Sequence, residues 1–90
     1  MIKKLFLSAD IEGTAGIAHW NETDKKNGAG DGYDHFAGQM TREVAAACEA
    51  AVRAGAEDIL VKDAHDSARN INPELLPEQV RILRGWACDP

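Results

Sequence analysis

Three short apolar runs and one long amphipathic stretch set the plan of this chain, and their order predicts its architecture. Lys4 to Ala9 clusters apolar residues as a buried strand does, then stops at polar and glycine punctuation in Ser8, Asp10, Glu12 and Gly13. From Ala18 to Tyr33 the chain is polar and rich in Asn, Asp and Gly, a pattern that predicts a long loop. Beyond it Phe36, Met40, Val44, Ala47, Cys48, Ala51 and Val52 recur at spacings of three and four, which predicts an amphipathic helix with Met40 in the core. Asp34 is its expected N-cap and Gly55 its expected stop. Asp58 to Lys62 then reads as a second strand, aliphatic, β-branched and too short for a helix. A polar loop through Asn72, a Pro-flanked helical turn from Pro73 to Glu78 and a third apolar run from Val80 to Leu83 complete the pattern.

Strand, helix, strand in this order predicts a right-handed parallel crossover. The expected fold class is therefore α/β, a parallel β-sheet built as β-α-β plus a third strand. One helix can cover only one face of such a sheet, so the piece looks like part of something larger.

Composition narrows the partners. Ninety residues make one small domain at most, residues 1–90, near the lower size at which a core alone sustains a fold. With 44% hydrophobic and 28% charged residues the chain is globular, and its net charge of −5 with ten scattered Lys and Arg argues against a nucleic-acid surface. Small molecules or peptides are the expected partners. The start, Met1-Ile2-Lys3-Lys4 with Leu5-Phe6-Leu7, resembles a signal peptide only until Asp10 interrupts it, and no stretch approaches transmembrane length. Together with Cys48 and Cys88 read as reduced thiols, this predicts a cytoplasmic protein with no membrane partner.

Candidate chemistry collects at the strand ends, where open parallel sheets build their sites. Asp10 and Glu12 follow the first strand and His65 the second. Residues two apart on an extended strand project to one side, so Asp10 and Glu12 would present two carboxylates together if strand geometry persisted through an inward-pointing Ile11. Carboxylates with an imidazole suit Zn²⁺ first, and also Mn²⁺, Fe²⁺ or Co²⁺. Taken singly each residue has a plainer reading: a capping or solvated acid, a histidine in a polar loop. Asp63 and Asp66 are expected to cap or form turns, with one of them orienting His65 through its second nitrogen. His19 and His35 are weaker site candidates, and Trp20 is either a loop anchor or a substrate contact. Gly13-Thr14-Ala15-Gly16 lacks the third glycine of a dinucleotide fingerprint and the lysine of a P-loop, so nucleotide binding is poorly supported.

Ser8-Ala9-Asp10-Ile11-Glu12-Gly13 with Gly16-Ile17, Met40-Thr41 with Glu43-Val44, Asp63-Ala64-His65 and Arg69-Asn70 together resemble the DppA-type D-aminopeptidases, zinc peptidases of family M55. The resemblance runs in order from Lys4 to about Gly85, and His19-Trp20 resembles one branch of the family. It implies a binuclear zinc enzyme that removes N-terminal D-amino acids from short peptides, on an α/β fold assembled as a ring-shaped homo-oligomer, a decamer among the candidates. Asp10 would bridge two zinc ions, Glu12 would bind one and His65 the other. The remaining ligands and the histidine that serves as nucleophile or base lie later in the family's chain, so no catalytic residue is expected before Pro90. The chain is then expected to be the N-terminal part of a larger three-layer domain, inactive alone.

Two rivals stand beside this reading. Asp10-Ile11-Glu12-Gly13-Thr14 also resembles the nucleophile loop of haloacid-dehalogenase-type phosphatases, with Glu in place of the second Asp. A non-catalytic, metal-binding α/β fragment that depends on self-association is the other.

Overall fold

The computed structural model describes residues 3–25 and 32–86. Three strands, β1 (Lys4–Ala9), β2 (Asp58–Asp63) and β3 (Val80–Leu83), form one sheet in the order β1-β2-β3, parallel throughout. The helix α1 (Tyr33–Arg53) connects β1 to β2. The α/β class read from the sequence is the one observed, and β2 runs one residue further than expected, through Asp63.

Register explains the core. Leu5, Ile59 and Val80 lie side by side across the sheet, as do Leu7, Val61 and Ile82. These two rows pack with Met40, Val44 and Cys48 of α1, with Ile11 and Ile71 closing the ends. Ala47, expected on the apolar face, is exposed, whereas Tyr33 and Thr41 are buried. Thr41 is tolerated there because its hydroxyl donates to the Ala37 carbonyl and accepts from the Asn72 amide. Cys48 is a free, buried thiol whose pKa is pushed up by burial, so it packs as an unreactive apolar residue. Cys88 lies outside the described residues.

The opposite face carries Phe6, 61% exposed, Leu60 and Leu83, and no helix among the described residues covers it. Parallel sheets are ordinarily covered on both faces, so this bare face is that of a partial domain.

Helix ends follow local chemistry, with one correction. The N-cap is Gly32 rather than Asp34: at φ 95° it takes a left-handed turn that favours glycine, and Asp34 falls in the first turn, where its charge complements the helix dipole. Gly55, at φ 100°, stops the helix as expected. The Gly55 amide donates to the Val52 carbonyl and the Ala56 amide to that of Ala51, the double bond pattern of a Schellman end.

Two other expectations fail for reasons of backbone chemistry. The turn at Pro73 is a 3₁₀ turn ending at Leu75, not Glu78, because Pro77 drives Leu76 into an extended conformation with ψ 151°. The predicted loop from Ala18 to Tyr33 contains a 3₁₀ turn, Trp20–Thr23. It is closed by a capping box in which the His19 imidazole accepts from the backbone of the turn while the Glu22 carboxylate accepts from the Ala18 and His19 amides at 2.7 and 2.9 Å. Most of the glycine-rich segment behind it lies outside the described residues. No helix among those described is long and apolar enough to cross a membrane.

Candidate metal centre

Where β1 ends, the chain does not continue as a strand. Ile11–Gly13 forms a 3₁₀ turn, with the Gly13 amide donating to the Asp10 carbonyl at 3.0 Å and the Thr14 amide to that of Ile11 at 3.0 Å. The expected extended geometry through Ile11 is therefore incorrect, but the result survives. Ile11, 0% exposed, is the inward anchor, and the turn around it leaves both neighbouring carboxylates outside. Ile11→Ala should cost about 2–5 kcal/mol in urea unfolding and loosen both carboxylates at once.

His65 arrives from the end of β2, aligned with β1 by the pairing of Ala9 with Asp63 and by the Ala64 amide donating to the Ala9 carbonyl at 2.8 Å. Its Nδ1 stands 3.1 Å from Asp10 Oδ1 and 3.2 Å from Glu12 Oε1. One ligand atom from each of the three residues lies within 4.8 Å of the others. Among the described residues this is the group of metal-type ligands the fold brings together. His65 Nε2 faces the Thr23 carbonyl at 2.5 Å. A carbonyl only accepts, so Nε2 donates to Thr23, which leaves Nδ1 as the nitrogen turned toward the two carboxylates. Two carboxylates and one imidazole nitrogen converging in this way suit a cation, Zn²⁺ first.

Two comparisons with known proteins bear on this geometry. A family model described as D-aminopeptidase, peptidase family M55, matches residues 3–89. The chain belongs to the M55 peptidase family. Among solved structures it is similar to "Zn-dependent D-aminopeptidase DppA from Bacillus subtilis, a self-compartmentalizing protease", with a TM-score of 0.83 and 27% identity over 91% of this chain and 29% of that one. The chain thus spans under a third of that relative's length. No curated protein sequence matches it. The family assignment sets aside the phosphatase resemblance of Asp10 to Thr14.

Within this M55 chain, the expected orienter of His65 is corrected. Thr23, from the turn after β1, holds the second nitrogen, and neither Asp63 nor Asp66 does. Asp63, 0% exposed, instead organises the loop that carries His65: its carboxylate accepts from the Asn70 amide at 2.6 Å, the Ile71 amide at 2.8 Å and Asn70 Nδ2 at 2.9 Å. Asn70 Nδ2 also donates to the His65 carbonyl at 2.7 Å, and Tyr33 donates its hydroxyl to Asn70 Oδ1 at 2.6 Å. Burial, with the Asp63 charge nearby, pushes the Tyr33 phenol pKa up and keeps it a donor. Asp66 and Ala68 hold left-handed backbone, at φ 51° and 59°, in the turn this clamp closes.

The electrostatics fit the ligand reading. A hydrogen bond shared with Asp10 is the main cause of a raised Glu12 pKa, desolvation adds to it, and the His65 charge opposes it. A divalent cation bound between the two carboxylates would relieve their mutual repulsion.

The weaker candidates are placed elsewhere in role. His19 caps its 3₁₀ turn, its Nδ1 accepting from the Asn21 amide at 3.0 Å. His35 is exposed in the first turn of α1, edge-on to Phe36 with ring centroids 4.8 Å apart. Trp20 is no buried anchor: it is 75% exposed and borders a cleft, with Ile17, Ala18 and His19, that reaches Glu12. The Gly13–Gly16 segment offers no phosphate cradle, since the Ala15 amide donates to the Glu43 carboxylate at 3.2 Å.

Proposed function

We propose that this chain carries the first part of the zinc site of a D-aminopeptidase, with Asp10, Glu12 and His65 as its metal ligands and short peptides with N-terminal D-residues as substrates. Asp10 would bridge two zinc ions, Glu12 would bind one and His65 the other. The convergence of these three side chains, with the His65 ring held through Nε2 by the Thr23 carbonyl, is the observation that carries the reading. When bound, paired zinc ions lower the pKa of a water and stabilise the oxyanion formed at a peptide carbonyl. The chain's own residues do the holding: Ile11 fixes the carboxylates, Thr23 fixes the protonated nitrogen, and Asp63 with Asn70 fixes the backbone behind His65.

A similar zinc dependence and self-compartmentalizing assembly are described for the DppA structure. They support zinc as the metal here and a ring-shaped homo-oligomer as the working assembly. A decamer is the proposed size. The free Cys48 agrees with a cytoplasmic location.

The test is metal binding followed by turnover. The 90-residue chain should bind zinc yet release no amino acid from a D-Ala-containing dipeptide, because three ligands cannot complete two metal sites. Robust turnover would overturn the assignment of catalytic groups beyond Pro90, and absence of zinc binding would overturn the ligand set.

A pH series adds a signed prediction. The Glu12 carboxyl binds its proton more tightly in the folded chain than in the unfolded one. Without zinc, stability should therefore fall as pH rises through the raised Glu12 range. Zinc reverses the sign, since it requires the deprotonated ligands. At a hundredfold excess over Kd it should stabilise the fold by about 2.7 kcal/mol near neutral pH, and that gain should vanish as acid protonates His65 and both carboxylates. Melting curves with and without zinc measure both slopes.

A further inference from the structure

We propose that a second cavity, which shares Thr23 with the cleft at Glu12, is an anion site for the terminal carboxylate of a short peptide. The cavity measures about 210 Å³, and Lys25, Arg69 and Arg84 line it together with Ser67. A chain of net charge −5 has gathered three of its ten basic side chains at one place. Asp66 also contributes to the wall, yet among the described residues none of the three cations is held in an ion pair. Like charges brought together without partners repel, and a solvated surface would spread them; an incoming anion relieves the repulsion.

The chemistry suits a carboxylate. Two guanidinium groups offer planar, paired donors that match its two oxygens, and the ammonium and hydroxyl add donors from the side. The walls are firm. Tyr33 and Asn70 form the back of the cavity, locked to one another and to Asp63, and Ser67 sits between the two left-handed residues Asp66 and Ala68. Such backbone persists where its surroundings over-determine it. The volume is below the roughly 300 Å³ at which pockets for whole ligands begin, so it suits an end group.

Position supplies the link to substrate. Asp66 follows His65 directly, and Thr23 both borders the cavity and accepts a hydrogen bond from His65 Nε2 through its carbonyl. A carboxylate bound here would sit beside the turn that holds His65, so a peptide reaching from it toward the proposed metal ligands would be a short one. The inference rests on the peptidase reading and adds to it a reason for preferring short, free-acid substrates.

The experiment compares D-alanyl-glycine with its C-terminal amide, each titrated into the 90-residue chain with and without zinc and followed by amide NMR shifts and calorimetry. The free acid should bind at least about tenfold more tightly than the amide, shift the Ser67, Arg69 and Asn70 amides, and weaken as salt rises. The double variant Arg69→Gln, Arg84→Gln removes only exposed side chains, so the fold should survive, and acid and amide should then bind alike. Equal affinity of acid and amide for the unsubstituted chain would overturn the proposal. So would discrimination that survives the double substitution, or inorganic phosphate binding there more tightly than the dipeptide. Zinc binding in the same samples is read separately. If it fails while acid and amide are still discriminated, the metal assignment falls and the carboxylate site stands.

Discussion

Asp10→Ala, incubated with zinc at neutral pH and dialysed, is expected to retain no stoichiometric metal, while the unsubstituted chain does. The carboxylate is exposed and takes no part in the core, so its removal leaves the fold intact and takes away the proposed bridging donor. His65 and Glu12 then remain as two ligands, short of the three or four protein donors on which zinc sites depend. The loss should be at least about a hundredfold in affinity, the upper range for disturbing a metal's surroundings even without touching a ligand. Circular dichroism should be unchanged, and Glu49→Ala, an exposed acid on α1, should bind zinc normally. Stoichiometric zinc in the Asp10→Ala chain would place the site elsewhere.

The largest effect on stability is expected from Asp63→Ala. The change removes a fully buried carboxylate that accepts three hydrogen bonds and leaves the buried Ile71 amide and the partly buried Asn70 amide without that acceptor. An orphaned buried donor costs about 1–3 kcal/mol, and with the other charge-assisted bonds lost the total amounts to roughly 3 kcal/mol. A chain of this size has a total stability on the order of 5–15 kcal/mol, and the loss should move the urea midpoint far down. Asp63→Asn keeps the shape and one acceptor oxygen and should fall between. Zinc affinity should weaken in both, because the loop carrying His65 is what Asp63 holds. Tyr33→Phe, which removes one hydroxyl from the same network, should cost only about 1 kcal/mol. A chain in which Asp63→Ala and Tyr33→Phe cost the same would show that the clamp does not hold the loop.

The sheet has a further bearing on function. Its helix-facing rows are packed, while Phe6, Leu60 and Leu83 stand on a face with no cover among the described residues. The fold is thus seen in part, as a sheet with one helical layer among the described residues. The share of the DppA chain that is matched agrees with this.

The strands, the crossover helix and the position of the candidate ligands at the strand ends were legible in the sequence, because each depends on the period of nearby residues. Gly55 announced the helix stop for the same local reason, and Met40 its place in the core. Other features depended on backbone geometry that side-chain patterns only hint at. The Asp10–Glu12 pair converges on a 3₁₀ turn rather than by strand alternation, and Gly32 displaced Asp34 as N-cap because its backbone could turn left-handed. The capping box of His19 and Glu22 had a readable spacing hidden inside a polar stretch. What only the tertiary structure decided was how His65 is held. Its orienting partner is the Thr23 carbonyl, 42 residues earlier, and every residue carries a carbonyl, so no sequence letter marks that one. Asp63 likewise reads as a turn acid until folding encloses it, when burial makes each of its hydrogen bonds obligatory.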